Sequence, residues 1–185
     1  MEDAQIVELY WQRSDTAIEE TAAKFGRYCL KIAANVLADR LDAEECVNDT
    51  WLAAWNSMPD NRPAALAPYL GKITRNFALD RLAQRRRQKR GGGAADLALS
   101  ELEECLAGQG SPERAVEDRE IAECIDAFLR TLPRMERAVF VARYWYMAPT
   151  EEIARRFDFT PGKVSGMLFR TRKKLRKALI KEGLI

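Results

Sequence analysis

The feature that most restricts this chain is the period of its apolar residues. Along nearly its whole length they recur every three or four positions. No run alternates in the period-two manner of a half-buried strand. Such stripes can be buried only helix against helix, so the fold class is all-α. Proline, glycine and capping residues divide the pattern. One helix is expected over 3–13 and a second over 15–38, where Ile18, Ala22, Phe25, Cys29, Ile32 and Val36 share a face. Asp42 is expected to cap a third over 43–57, with Glu45 three residues later in capping-box order. Residues 58–68 hold three prolines, an asparagine and an aspartate, and read as a loop. A fourth helix is expected from near Pro68 into the basic run 81–90, halted by Gly91, Gly92 and Gly93.

Two small helical domains follow from these breaks. Residues 1–90 form the first. Residues 91–114 read as a flexible acidic linker with room for a short helix over 96–106 and a break at Ser111 and Pro112. Residues 115–185 form the second domain. There Ile121, Cys124, Ile125, Phe128 and Leu129 make one stripe, and a further helix is expected over 134–146. The length of 185 residues leaves no room for a large catalytic domain beside these two.

Charge lies in blocks. The net is −5 over 1–80, +6 over 81–90, −8 over 91–126 and +9 over 127–185. Two basic zones separated by an acidic one fit a single polyanion touched at two places, or two solvated helix faces. The chain has no histidine, which excludes Ser-His-Asp and Cys-His catalysis and histidine metal ligands. Cys29, Cys46, Cys105 and Cys124 form no Cys-x-x-Cys pair and read as inert, buried thiols. No enzyme chemistry, metal or cofactor is expected. No apolar run is long enough to span a membrane, and the basic n-region of a signal peptide is missing, so a cytoplasmic location is expected.

The last 36 residues carry the clearest local signal. Residues 150–157 form a short helix with Ile153, Ala154 and Phe157 apolar. Asp158 and Phe159 turn the chain, Thr160 is an N-cap, and Pro161 sits at the first helical position. A long helix follows, with Val164, Leu168, Thr171, Leu175 and Leu179 as its buried stripe. It carries eight basic residues and no acid between 163 and 181. This is a helix-turn-helix whose second helix fits the DNA major groove. With every cation on a phosphate, log K would fall with log salt at a slope near −7, an upper bound.

Three stretches together resemble the bacterial RNA polymerase sigma factors of extracytoplasmic-function type. Residues 42–55, DAEECVNDTWLAAW, are similar to the family's polymerase-binding helix. Residues 69–82, YLGKITRNFALDRL, with Arg85, Arg86 and Arg87 beyond, resemble its minus-ten recognition helix. Leu132, Pro133 and Phe140, then Glu152, Ile153 and Ala154, then Gly162, Lys163 and Val164, then residues 169–175, FRTRKKL, resemble its minus-thirty-five domain. The resemblance implies a protein that binds core RNA polymerase, carries it to promoter DNA and opens the duplex. It assigns Asn48, Asp49 and Thr50 to polymerase contact. Val47, Trp51, Leu52 and Trp55 beside them read as core packing.

For the minus-ten element the resemblance points to Lys72, Arg75, Asn76 and Arg81, with Asn76 on a base and the loop 56–67 around a flipped base. That loop has no aromatic residue, so stacking either falls to a neighbour such as Tyr69 or matters little, and Tyr69 and Phe77 also read as core. For the minus-thirty-five element it points to Lys163, Ser165, Arg170, Arg172, Lys173 and Lys174. The acidic linker would thread the polymerase cleft. An anti-sigma protein is a further partner that the resemblance leaves open. The chain departs from the family at Ser165, Gly166 and Met167, where polar or basic side chains are common. That places base reading on Lys163, Ser165 and Arg170, with weight on DNA shape. The alternative from another class is a stand-alone helix-turn-helix transcriptional regulator, which would bind duplex DNA without polymerase.

Overall fold

The computed structural model describes residues 1–88, 94–106 and 115–185, and only the backbone of 86–88, 94, 106 and 115–119. Among the described residues the regular structure is entirely helical, and no helix is long and apolar enough to cross a membrane. The chain divides into two compact units, Met1–Gly91 and Gly92–Ile185.

The first unit holds α1 (Asp3–Trp11), α2 (Thr16–Leu37), α3 (Arg40–Ser57), a 3-10 turn at Met58–Asp60, and α4 (Leu66–Gln88). Helices α2, α3 and α4 pack on one another, and α1 closes the bundle against α2 and the 3-10 turn. Phe25, Cys29, Ile32, Cys46, Ala54, Leu70 and Ala78 are buried between them. Gly71 lets α4 approach Tyr28 of α2 closely: a Cβ there would lie 2.5 Å from the Tyr28 hydroxyl oxygen. The cap of α3 differs from expectation. Ala38 turns left-handed and ends α2, so the one residue left to begin the next helix is Asp39. The Asp39 carboxylate accepts from the Asp42 backbone N–H at 3.1 Å. Asp42 therefore lies in the first turn and pairs with Arg85. Helix α4 also starts two residues before Pro68, at Leu66. Its first N–H donates to the Asp3 carboxylate at 3.0 Å, a cap supplied from a different helix.

The second unit holds α5 (Ala94–Leu106), α6 (Ala115–Thr131), α7 (Arg134–Tyr144), α8 (Thr150–Phe157) and α9 (Pro161–Lys181). Each of the other four helices packs on α9. The helix-turn-helix forms as the sequence dictates. Asp158 takes the left-handed conformation in the turn, and the Thr160 hydroxyl accepts from the Lys163 N–H at 3.2 Å. Val164, Leu168, Thr171, Leu175 and Leu179 are buried.

The largest departure is α5. The short helix allowed over 96–106 forms, 13 residues long, but it packs on α7 and α9 and is no part of a flexible tether. Ala95, Ala98 and Cys105 are its buried stripe, and their small side chains permit close approach. The remainder of the expected linker, 91–93 and 107–114, lies outside the described residues. So do Lys89 and Arg90 at the end of the basic run. Of the cysteines, Cys29, Cys46 and Cys105 are buried as expected, whereas Cys124 is half-buried. Burial pushes the Cys46 thiol up to about 11, so it stays protonated and unreactive.

Candidate nucleic-acid interface

In the first unit the phase of α3 separates its faces. Ala43, Cys46, Val47, Thr50, Trp51 and Ala54 face the bundle. Leu41, Glu45, Asn48, Leu52 and Asn56 form the opposite, solvent-facing stripe. Asn48 is exposed on this stripe, and Asp49 is half-buried beside it. Thr50 does not share that surface. It is 0% exposed and donates its hydroxyl to the Cys46 carbonyl at 2.8 Å, with the Thr74 hydroxyl at 3.1 Å. Helical phase turns it inward, which position in a motif does not reveal. Leu52 is a correction in the other direction. It is 61% exposed, far from the core packing expected of it, and lines a shallow depression with Asp49, Ala53, Asn56 and Phe77. The 3.6-residue period could have found it, because Leu52 lies opposite Ala43, Val47 and Ala54.

Helix α4 splits its expected set of four. Lys72 and Asn76 are exposed one turn apart on one line of the helix. Arg75 is half-buried, and burial lowers its pKa from a value so high that the guanidinium stays charged. Arg81 turns toward α3 and donates to Glu45 at 2.8 Å and Asp49 at 2.6 Å. It thus ties the expected DNA helix to the expected polymerase helix and is not an open cation.

The loop between α3 and α4 is held by α1, which sequence reasoning missed. The Trp11 indole N–H donates to the Asn61 carbonyl at 3.4 Å, and Arg62 pairs with Glu8 at 2.8 Å. The Arg62 guanidinium lies 4.1 Å from the centre of the Trp11 ring, which is 43% exposed. An aromatic residue therefore does stand at this loop, contributed from 50 residues upstream. Tyr69 shares a 2.7 Å hydrogen bond with Ser57 and is half-buried, in line with its reading as a packing residue.

In the second unit the outward face of α9 holds Gly162, Gly166, Phe169, Arg170, Lys173 and Lys177, opposite the buried stripe. Lys163, Ser165, Arg170 and Lys173 are exposed as expected. The Lys163 ammonium lies 3.7 Å from the Phe159 ring centre, and that of Lys173 lies 4.8 Å from Phe169. A Cβ at Gly166 would stand 3.3 Å from the Arg170 guanidinium, so the missing side chain lets Arg170 lie along the helix. Two expected contacts are diverted. Lys174 pairs with Glu136 of α7 at 2.9 Å, although it stays half exposed. Arg172 turns inward and is 19% exposed. It donates to Glu101 of α5 at 3.2 Å and contacts the Tyr144 hydroxyl. Burial, first of all, raises the Tyr144 pKa, so the phenol keeps its proton and donates a hydrogen bond to Glu101 at 2.9 Å.

Comparison with known proteins finds one family domain within each unit. Residues 22–88 match sigma-70 region 2, and residues 122–175 match sigma-70 region 4. The probable RNA polymerase sigma factor RfaY of Xanthomonas campestris is 28% identical over 152 residues, 80% of this chain and 37% of that one. The ECF RNA polymerase sigma factor SigE of Mycolicibacterium smegmatis is 24% identical over 169 residues, 91% of this chain and 62% of that one. The chain thus spans less than two thirds of the length of either curated relative. CnrH, solved in complex with the cytosolic domain of CnrY, aligns over 97% of both chains at 21% identity with a TM-score of 0.44. With region 2 on its first helical unit and region 4 on its second, this chain belongs to the RNA polymerase sigma factors of the extracytoplasmic-function type.

Proposed function

We propose that this chain is a promoter-specificity subunit that binds core RNA polymerase, directs it to promoter DNA in the cytoplasm and helps open the duplex, with no catalysis of its own. The observation that carries the reading is the pairing of region 2 and region 4 in one chain, each with a solvent-facing stripe of the required chemistry. Leu41, Asn48, Leu52 and Asn56 on α3 combine exposed apolar anchors with amides, the composition of a protein interface core and its rim. This stripe would dock on the polymerase clamp, with Asp49 at its edge. Lys72 and Asn76 would meet the melted minus-ten strand. The Asn76 amide both donates and accepts, so it can read one base edge.

Trp11 would supply the aromatic face that the α3–α4 loop lacks. Stacking on an aromatic ring contributes about 1–3 kcal/mol per base, comparable to the cost of unstacking one. On α9, Lys163, Ser165, Arg170 and Lys173 would enter the minus-thirty-five major groove.

Transcription in vitro tests this. The chain is added to core polymerase of its own organism with that organism's genomic DNA, and the 5′ ends of the RNA are sequenced. Discrete new start sites, absent with core alone, are expected. Absent new starts, together with absent core binding in a direct titration and tight duplex binding by the free chain, would replace the reading by a stand-alone regulator.

A further inference from the structure

The face of α9 that carries Arg172 and Arg176 is not open to solvent as a simple basic helix would be. Helix α5 lies along it. Four of the 13 residues of α5 are carboxylates and none is basic, whereas α9 carries eight cations and no acid. Three sets of contacts join the two helices. Glu101 receives Arg172 at 3.2 Å, and its other oxygen receives Arg143 of α7, also at 3.2 Å. The Arg176 guanidinium donates at 3.1 Å to the carbonyls of Glu104 and Cys105, at the C-terminal end of α5 where helix carbonyls lack partners of their own. The Cys105 thiol donates to the Arg172 carbonyl at 3.3 Å.

Arg143 shows that α5 is a built part of the unit and not an adventitious neighbour. It is 1% exposed, the largest fully buried side chain among the described residues, and it donates to the Ala148 carbonyl and to Glu101. A guanidinium so deeply buried is strongly destabilising without a counter-charge. The helix-turn-helix unit has therefore left a place for a carboxylate that the linker helix brings.

We propose that α5 is an internal anionic partner of the recognition helix: it docks on the Arg172–Arg176 flank of α9 and withholds both cations from DNA, so that the docked unit meets phosphates only through its outward face. This rests on the DNA-binding reading of α9 given above. The geometry separates two classes of cation on one helix. Lys173 and Arg170 count toward counterion release, while Arg172 and Arg176 do not until α5 lifts away.

The test is the salt dependence of duplex DNA binding by the full chain, followed by fluorescence anisotropy. Each phosphate contact contributes about 0.9 to the slope of log K against log salt. Lys173→Gln is expected to reduce the slope by about that amount, while Arg176→Gln leaves it unchanged. Ala98→Gln puts a bulky neutral side chain at the buried centre of the α5 stripe and is expected to undock it. The slope then steepens by up to about 1.8, and Arg176→Gln added to that variant takes back about 0.9. Equal losses of slope from Arg176→Gln and Lys173→Gln in the native chain would overturn the proposal. So would a helical, folded Ala98→Gln variant with an unchanged slope. If Ala98→Gln loses its circular dichroism signal, the comparison of the two native-chain variants decides alone. If Lys173→Gln and Arg170→Gln both leave the slope unchanged, α9 is not the DNA surface, and the reading that supports the proposal fails with it.

Discussion

Arg81 in the first unit and Arg172 in the second occupy comparable places. Each lies on a helix expected to meet DNA, and each is instead held by acids from a neighbouring helix. Arg81 is held at the rim by Glu45 and Asp49, whose carboxylates stay well exposed. Arg172 joins a network around Glu101 in which Arg143 is fully buried. The first is a surface pair, worth little and exchangeable for a phosphate or a polymerase contact. The second shares its acid with a buried charge, so opening it costs far more. The same ionic chemistry thus makes a loose clasp in one unit and a lock in the other, and burial of the third partner decides which.

The largest expected effect tests that contrast directly. Glu101→Ala leaves Arg143 buried and unpaired, and should cost the second unit about 3–5 kcal/mol. Asp49→Ala should cost the first unit no more than about 1 kcal/mol. Thermal denaturation followed by circular dichroism compares the two. A Glu101→Ala chain as stable as the native one would show that Arg143 finds another partner and that the two clasps are alike.

Next comes the interface on α3. Leu52 is exposed and contributes little to the fold, so Leu52→Ala should leave stability within about 0.5 kcal/mol. As an anchor it should weaken core polymerase binding by about 1–2 kcal/mol, roughly 5- to 30-fold. Asn48→Ala with Asp49→Ala should also weaken core binding with the fold intact. Unchanged affinity in a core-binding titration for both variants would remove this stripe from the polymerase interface.

On α4 and α1 the expected effect is confined to one step of initiation. Asn76→Ala and Trp11→Ala should reduce promoter opening, read by permanganate reactivity, by about 1–3 kcal/mol each if a base is read and stacked there. Closed-complex binding to duplex should change less. Equal losses in both assays would mean that these residues touch duplex DNA and not the melted strand.

Much of this was legible in the sequence, and the failures come from helical phase and from distant partners. The bounds of α8, the start of α9, the Thr160 cap, the Asp158 turn and the buried stripe of α9 follow from local chemistry and are found as read. Asn48, Lys72, Asn76, Lys163, Ser165, Arg170 and Lys173 are open to solvent as expected. Thr50 is not, because helical phase turns it inward, and Arg81 and Arg172 are not, because acids on neighbouring helices hold them. Motif position marks a residue but not its phase or its partner. Leu52 was readable from phase alone. Trp11 was not, since nothing local links it to a loop 50 residues away. The linker misled most, because its acids read as solvated charge while one of them, Glu101, answers a buried arginine far along the chain.

The smallest expected effect concerns another distant partner, Asp3. Its carboxylate accepts from the first N–H of α4 and pairs with Lys24 at 2.7 Å, about a third exposed. The Lys24 hydrogen bond first, and the Leu66 N–H second, hold its pKa below the ordinary aspartate value. A lowered folded value means that the folded state binds the proton less tightly than the unfolded chain. The stabilisation is therefore complete above about pH 4 and is lost as pH falls through the folded value. Asp3→Asn keeps an oxygen for the cap but removes the charge that favours a helix N-terminus. It should cost the first unit about 0.5–1 kcal/mol at neutral pH, less in high salt. The difference from the native chain should vanish once the pH has fallen below the folded value. If it persists there unchanged, shape and not charge holds α1 to α4, and the first unit's clasps owe less to electrostatics than Arg81 implies.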